Sequence, residues 1–211
     1  MTGRGRPRTF DTGVALRQAL ALFWENGYEG TSIADLAGAM GIASASLYAA
    51  FGSKQELFRS VMELYTATAG QPPRQALIDN PDTRLAVHAM LLATVDQITR
   101  SDAPHYCMLI LAAPTGAVEN DEIREFLADG RRAQYAAVRA RLELGIQNGD
   151  LTAPSESLDS IARYYTTVVQ GLSLQARDGA TRADLSAIVE AAMAGWDNIT
   201  KSRTTAVINH G

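Results

Sequence analysis

Residues 44–54 read Ser-Ala-Ser-Leu-Tyr-Ala-Ala-Phe-Gly-Ser-Lys, and the rest of the chain is organised around this stretch. Ser44 is a suitable N-cap, because its hydroxyl can accept a hydrogen bond from an unpaired N–H of a helix's first turn. Leu47 and Phe51 stand four residues apart, so they share one face and can pack inward. The outward face then holds small or uncharged side chains, which are Ala45, Ser46, Tyr48, Ala49 and Ala50. We predict a short recognition helix whose smooth face can lie deep in a DNA groove.

Two further helices are predicted before this stretch. The first spans about residues 12–26, with Asp11 as its N-cap and Gly27 at its end. The second begins after Ser32, and Asp35 occupies the capping-box position. Gly41 then makes the turn into the recognition helix. Two helices of about eight residues joined by such a turn have the spacing of a helix-turn-helix.

The N-terminal end is rich in arginine, although the whole chain carries a net charge of −4. Residues 1–60 contain six Lys or Arg against five Asp or Glu, so the charge balance favours DNA binding confined to the N-terminal part. Two interpretations of the arm remain open. It is either a solvated terminus or a segment that orders on DNA, where Arg4, Arg6 and Arg8 would enter a narrow minor groove or contact phosphates.

The composition predicts a globular protein with a real core, because 46% of the 211 residues are hydrophobic. Cys107 is the single cysteine, so no disulfide can form within the chain and a reducing compartment is expected. The longest strictly apolar run, residues 107–113, is far shorter than the roughly 20 residues of a membrane helix. No signal peptide follows the arginines. A cytoplasmic location is therefore expected.

Beyond residue 60 the periodicity predicts helices alone. Ser53 and Glu56 form a capping-box pattern for a fourth helix that runs to about Ala69 and ends at the Gly-Gln-Pro-Pro sequence that follows. Later helices are expected over about residues 82–100, from 104 onward, 121–148, 156–177 and 182–199. Residues 201–211 show no pattern and are expected to form a disordered tail.

The middle helices could enclose a pocket. Candidate lining residues are Met90, Thr94, Met108, Tyr135 and Tyr164. The alternative for each of them is simple core packing. Because the polar groups in this set are a few hydroxyls, a small and largely apolar or aromatic effector would suit such a pocket.

Residue identities add a specific resemblance. The sequences of residues 31–37, 40–42 and 46–58 closely resemble the DNA-binding domain of the TetR (tetracycline-repressor) family of bacterial transcription regulators. Together with the arginine arm, the resemblance covers about residues 4–60. It implies an all-α homodimer that has an N-terminal three-helix DNA-binding domain with a helix-turn-helix (residues 1–60) and a C-terminal helical ligand-binding and dimerisation domain (61–200). Such a protein would bind a palindromic operator and leave it when a small molecule occupies the second domain.

The resemblance also implies roles for individual residues. Tyr48 would contact a phosphate through its hydroxyl, Lys54 would lie near the DNA backbone, and Ser32 would offer its hydroxyl and neighbouring N–H groups to a phosphate. The residues facing base edges would be Ser44, Ala45, Ser46 and Ala49. This face departs from those family members that place Gln, Arg, Lys or His there, so we expect the arginine arm and DNA shape to carry an unusual share of specificity.

The same resemblance implies that the last two long helices pair with those of a second copy as a four-helix bundle, where small residues permit close packing. The residues expected at that interface are Tyr165, Val168, Leu172, Ile188, Ala192 and Trp196. Packing within one chain is the alternative.

The sequence contains no Gly-rich phosphate loop, no His-Glu-x-x-His and no Cys-x-x-Cys, and its three histidines are scattered. We therefore expect no catalytic residue, no metal and no cofactor, and favour a transcriptional repressor. One alternative is a helical ligand-binding protein or enzyme that retains a vestigial DNA-binding domain. Another is an activator without a small-molecule effector. Metal or thiol sensing at Cys107 also remains open.

Overall fold

The computed structural model of the chain describes residues 11–111 and 120–201. Within those ranges every regular element is helical, so the all-α prediction is confirmed. A short 3-10 turn at Ser155–Ser157 precedes the ninth helix. The α-helices are α1 (Thr12–Asn26), α2 (Ile33–Met40), α3 (Ser44–Phe51), α4 (Lys54–Ala67), α5 (Gln71–Asp79), α6 (Thr83–Ile98), α7 (Met108–Leu111), α8 (Asp121–Asn148), α9 (Leu158–Arg177), α10 (Arg182–Ala194) and α11 (Trp196–Thr200).

Side-chain caps begin several helices where the sequence predicted them. The Asp11 carboxylate accepts from two N–H groups of the first turn of α1, at 2.9 and 3.1 Å. The Ser32 and Thr181 hydroxyls each form a reciprocal capping box with the aspartate three residues later. Ser53 makes only half of its expected box, because its own backbone N–H donates to the Phe51 carbonyl instead of to Glu56. Such caps satisfy N–H groups that have no partner within the helix.

One helix was missed and two predicted helix boundaries were wrong. The Gly-Gln-Pro-Pro sequence follows the end of α4, as predicted, but it also opens the unpredicted helix α5, because proline at the first positions of a helix lacks only an N–H that would have no partner there. The predicted helix of residues 182–199 divides at Gly195 into α10 and α11. The helix expected from residue 104 begins at Met108.

Two clusters of buried apolar side chains hold the fold together. The first cluster combines residues of α1–α4 with Cys107, Met108, Ile123 and Leu127 from the α7–α8 region. The second is built mainly from α6, α8, α9 and α10. The core beneath the N-terminal helices therefore continues past residue 60 into later helices.

The corner between α5 and α6 is closed by polar contacts from the end of α8. Buried Arg141 donates through Nη2 to the carbonyl oxygens of Asn80 (3.1 Å) and Pro81 (2.7 Å). The Asp150 carboxylate accepts from the backbone N–H of Thr83 at 2.5 Å. These contacts fix the start of α6 against the last turn of α8.

Among the described residues, no single helix has both the length and the hydropathy to cross a membrane. The pair α2 and α3 passes that test only when the two are taken together, and they are bent by 94° at the break between them.

Candidate nucleic-acid interface

Helices α2 and α3 form the predicted helix-turn-helix. Gly41 ends α2 in the left-handed conformation (φ 64°, ψ 32°), which glycine adopts without steric penalty. Its N–H and that of Ile42 return to carbonyls of the last turn of α2, an arrangement typical of a glycine helix terminus. The resulting angle of 94° lies in the range of DNA-binding helix-turn-helix units.

The recognition helix α3 packs on the core through Leu47 and Phe51, and its other residues are exposed. Leu47 is fully buried and Phe51 is half-buried, as predicted from their spacing. The exposed residues are Ser44, Ala45, Ser46, Tyr48, Ala49 and Ala50. Tyr48 is 49% exposed, so its hydroxyl is available to a partner. The predicted outward face is thus the face that the fold leaves open.

The prediction that Ser44 caps α3 was wrong. Ala43 is the N-cap residue, with extended backbone (φ −72°, ψ 148°) and no side-chain hydrogen bond to the helix. Ser44 is the first residue inside the helix, because the carbonyl of Ala43 already accepts from the N–H groups of Ser46 and Leu47. The Ser44 hydroxyl therefore does not serve as the N-cap of α3.

Ser32 lies at the start of α2, as the phosphate contact predicted from the family resemblance requires. Its hydroxyl and its backbone N–H both donate to the Asp35 carboxylate, at 2.6 and 2.9 Å. These bonds lower the pKa of Asp35, so the carboxyl group is ionised at neutral pH. A phosphate that approached Ser32 would have to replace one of these two bonds. The role of Ser32 stays a prediction.

Lys54 opens α4 directly after the turn that ends α3. Gly52 makes that turn with φ 76°, a conformation that L side chains rarely adopt. The Lys54 ammonium lies 4.3 Å from the centroid of the Tyr28 ring, within the range of a cation–π contact. Tyr28 and Trp24 are both buried core residues. Lys54 is therefore positioned by the core of the DNA-binding helices, with its phosphate contact still a prediction.

The predicted arginine arm, with Arg4, Arg6 and Arg8, lies outside the described residues, as do residues 202–211 of the predicted tail.

No pattern in the sequence predicts the contacts that join the DNA-binding helices to the rest of the chain. Trp24 Nε1 donates to the Tyr106 carbonyl at 3.0 Å, and the Tyr106 hydroxyl donates back to the Trp24 carbonyl. Because 82 residues separate this pair, no local sequence pattern could have found it. The pair fixes the end of α1 to the segment before α7.

A second set of buried polar contacts lies where α4, α6, α7 and α9 meet. Gln97 Nε2 donates to the Tyr65 hydroxyl at 2.5 Å, and that hydroxyl donates to the Cys107 sulfur at 3.4 Å. The Cys107 N–H donates to Ser173 Oγ at 2.8 Å. Burial raises the pKa of the Cys107 thiol and that of Tyr65. The thiol is therefore protonated at neutral pH, and reactive cysteines instead have lowered pKa values.

The five predicted pocket residues lie in different surroundings. Buried Met90 and Thr94 are adjacent, and the Thr94 hydroxyl donates to the Met90 carbonyl. Met108 is fully buried in the other core cluster. Tyr135 is half-buried beside the Arg163 guanidinium, and Tyr164 is 39% exposed on α9. Two surface clefts of about 450 and 740 Å³ are lined by other residues. The pocket assignment stays a prediction.

Four of the six predicted interface residues are already covered by their own chain: Tyr165, Leu172, Ala192 and Trp196 are buried. Val168 is half-buried and Ile188 is 40% exposed. The opposite faces of α9 and α10 remain open and carry Tyr164, Gly171, Leu174, Ile188 and Ala191. The dimer interface stays a prediction, and a partner would meet that open face first.

The histidine, cysteine, aspartate and glutamate residues of the described ranges form no group of three or more suited to a metal ion.

Comparisons with known proteins agree with this geometry. Residues 15–61, which include α2 and α3, match the family described as bacterial regulatory proteins, tetR family. The chain is 30% identical over 199 residues to the HTH-type transcriptional repressor ComR of Escherichia coli K12, covering 94% of each protein. It is 29% identical over 191 residues to the repressor BdcR of the same organism, covering 90% of each.

The fold also matches a solved structure. A cysteine mutant of the TetR family regulator CifR, in complex with 26-base-pair operator DNA, superposes with a TM-score of 0.86 at 41% identity. The match covers 91% of this chain and all of that one. The chain belongs to the tetR family of bacterial regulatory proteins and is a DNA-binding transcriptional regulator.

Proposed function

We propose that this regulator is a repressor that binds a palindromic operator as a homodimer and is released by a small, largely apolar effector. One observation carries the proposal. Helix α3 is anchored by a single buried leucine, Leu47, and presents an open face of small side chains with Tyr48 exposed on it. Such a face can approach base edges closely, and Tyr48 on this face and Lys54 at the start of α4 are the proposed phosphate contacts. In this proposal the arginine arm supplements the sparse base contacts of α3.

The homodimer would form through the open face of α9 and α10. This face combines Tyr164, Leu174 and Ile188, which are large exposed apolar residues, with small residues that permit close approach of two helices. Two such subunits would place their α3 helices one turn of DNA apart, about 34–36 Å. Residues 1–60 would bind DNA, and residues 61–200 would bind the effector and the partner subunit.

Helix α4 is the element suited to carry the effector signal. Lys54 lies at its first turn beside α3, and Tyr65 in its last turn joins the buried polar contacts with Gln97 and Cys107. An effector that enters between α4, α6 and α9 must rearrange those contacts, so it can shift the orientation of α4. Of the predicted lining residues, Met90 and Thr94 lie on α6 and Met108 lies on α7.

A mobility-shift assay with the DNA upstream of the chain's own gene tests the repressor function. We expect a specific, salt-sensitive complex with two subunits per operator. An effector found by thermal-shift screening should then bind more weakly in the presence of operator, by the same factor by which it weakens operator binding. Equal effector affinities with and without operator would remove the release mechanism.

The alternatives give different results in the same experiments. A ligand-binding protein or enzyme with a vestigial DNA-binding domain would bind small molecules but leave the upstream DNA unshifted. An activator without an effector would shift the DNA, and a transcription assay would show higher output. In our proposal the chain has no catalytic role and acts in the cytoplasm.

A further inference from the structure

A single peptide group just before α7 is hydrogen-bonded to both α1 and α9. The carbonyl of this group, which belongs to Tyr106, accepts from Trp24 Nε1 at the end of α1 at 3.0 Å. The N–H of the same group, which belongs to Cys107, donates to Ser173 Oγ on α9 at 2.8 Å. A peptide group is planar, so the directions of its C=O and N–H are fixed relative to each other. It therefore connects α1 to α9 as one rigid unit.

The surroundings of this peptide group hold it in place. The Tyr106 hydroxyl donates back to the Trp24 carbonyl, so the residue is bonded to the end of α1 twice. Ser173 is fully buried and Cys107 is buried. From α8, Arg131 Nη1 donates to the Leu109 carbonyl at 2.7 Å. The segment cannot slide between α1 and α9 without leaving buried polar groups unpaired, and each such group is costly.

The two ends of this connection reach the two surfaces on which the proposed function depends. On α9, Ser173 directly precedes Leu174, which is 40% exposed on the open face proposed for the partner subunit. On α1, the Trp24 ring meets the Tyr65 ring of α4 edge to face, with centroids 5.1 Å apart. Helix α1 also packs against α2. The connection thus runs from the helix proposed to face the partner to the helices that carry α3.

We propose that the peptide group of Tyr106 and Cys107 fixes the distance between the subunit interface and the recognition helix, so that Tyr106 and Ser173 are positioning residues that set which half-site spacing the dimer accepts. The inference rests on the proposed function, since it takes α9 to face the partner subunit. One base pair more or less between the half-sites moves them by about 3.4 Å along the DNA and turns them by about 35° around it. A dimer with this connection intact resists that change, and a dimer with a weakened connection follows it.

Two full-length variants weaken the connection at either end. Tyr106→Phe removes the hydroxyl bond to Trp24, and Ser173→Ala removes the acceptor of the Cys107 N–H. The operator is mapped by footprinting in the upstream DNA, and duplexes are made with the mapped spacing and with one base pair added or removed. The quantity compared is the spacing ratio, which is the dissociation constant for an altered duplex divided by that for the mapped one.

The spacing ratio of the wild type should be well above one. Each variant should lower it by about two- to thirteen-fold per subunit, the range that one neutral hydrogen bond contributes. Because the same protein preparation is titrated with every duplex, a loss of folded protein cancels in the ratio. A purely structural role of either residue would therefore leave the spacing ratio unchanged.

A matched control and a double variant sharpen the test. Thr166→Val removes a buried hydroxyl from the same face of α9, two turns before Ser173, where that hydroxyl bonds to the Ala162 carbonyl of its own helix at 2.8 Å. This control should keep the wild-type spacing ratio. The two weakened bonds belong to one connection, so the double variant of Tyr106→Phe and Ser173→Ala should lower the ratio little further than the stronger single variant does. Two independent effects would instead multiply.

The outcomes separate this inference from the function on which it rests. If the wild-type chain shifts no upstream DNA, the proposed function fails and the inference fails with it. If the wild type binds its operator but tolerates the altered spacings, or if neither variant lowers the spacing ratio, only the inference is overturned. The same holds if Thr166→Val lowers the ratio as much as Ser173→Ala. Tyr106 is only half-buried, so Tyr106→Phe decides the matter alone if thermal denaturation shows that Ser173→Ala does not fold.

Discussion

Replacing Tyr48 by phenylalanine and Lys54 by glutamine separates the two kinds of phosphate contact expected at the interface. Tyr48 is half exposed, so Tyr48→Phe removes one hydroxyl hydrogen bond and leaves the core intact. A hydrogen bond to a charged group such as a phosphate contributes about 1.5–3 kcal/mol. The operator dissociation constant should therefore rise by about 13- to 160-fold per half-site, with an unchanged dependence on salt.

Lys54→Gln should instead change the salt dependence. Each phosphate neutralised by a cationic side chain contributes about 0.9 to the slope of log affinity against log salt. A homodimer carries two copies of Lys54, so the slope should fall by about 1.8. Between 50 and 200 mM salt that difference amounts to roughly twelve-fold. The variant should bind more weakly than the wild type at low salt and approach it as the salt concentration rises.

Fluorescence anisotropy with a labelled operator duplex measures both effects in one salt series. Lys201→Gln after α11 is a matched control for Lys54→Gln, because it makes the same chemical change far from α3 along the chain. It should bind like the wild type. If Tyr48→Phe flattens the salt dependence, or if Lys54→Gln leaves it unchanged, the assignment of the two contacts is refuted.

Three predictions concern the scaffold. Leu47→Ala should lower the free energy of unfolding by about 2–5 kcal/mol in urea denaturation, because it empties a fully buried position; a change below about 1 kcal/mol would mean that α3 does not depend on this anchor. Gly145→Ala should lower the free energy of unfolding by about 1–3 kcal/mol, because its Cβ would lie 2.2 Å from the buried Thr83 Oγ1. Gly38→Ala meets no atom within 4 Å and should instead raise it by up to about 1 kcal/mol, because alanine favours the helix α2. Equal effects of the two substitutions in thermal denaturation would contradict this contrast. Burial raises the pKa of the Cys107 thiol, so above the usual pKa of 9.0 the folded chain keeps this proton while the unfolded chain releases it. The free energy of unfolding should therefore fall by up to about 1.4 kcal/mol per pH unit as the pH rises above 9. Denaturation at pH 8 to 10 should show this loss in the wild type and a smaller loss in Cys107→Ala.

Features set by neighbouring residues were predictable from the sequence. The Ser32 and Asp35 capping box, the turn at Gly41 and the inward position of Leu47 each depend on side chains within a few positions of one another. The start of α3 was placed one residue too late because Ala43, which has no capping side chain, adopts the extended backbone of the N-cap. Helix α5 was missed because its two prolines also fit a loop.

Contacts between distant residues were not predictable in this way. Tyr106 and Asn120 give no local signal for bonding to Trp24 and Glu29, because their positions depend on how the later helices dock. The buried bonds from Tyr65 to Gln97 and Cys107 likewise join three separate elements. The periodicity shows which side chains lie on the apolar face of a helix. It does not show whether such a side chain lines a pocket, packs in the core or lies at a dimer interface, because that depends on how distant helices dock.

The apolar cluster beneath the N-terminal helices has a consequence for protein engineering. Because Cys107, Met108, Ile123 and Leu127 complete that cluster, a fragment cut after residue 60 would expose the apolar surface that these residues cover. We therefore do not expect residues 1–60 to fold as an independent DNA-binding domain. A chimera that transfers its DNA specificity to a relative would have to carry the matching residues of the α7–α8 region along with residues 1–60.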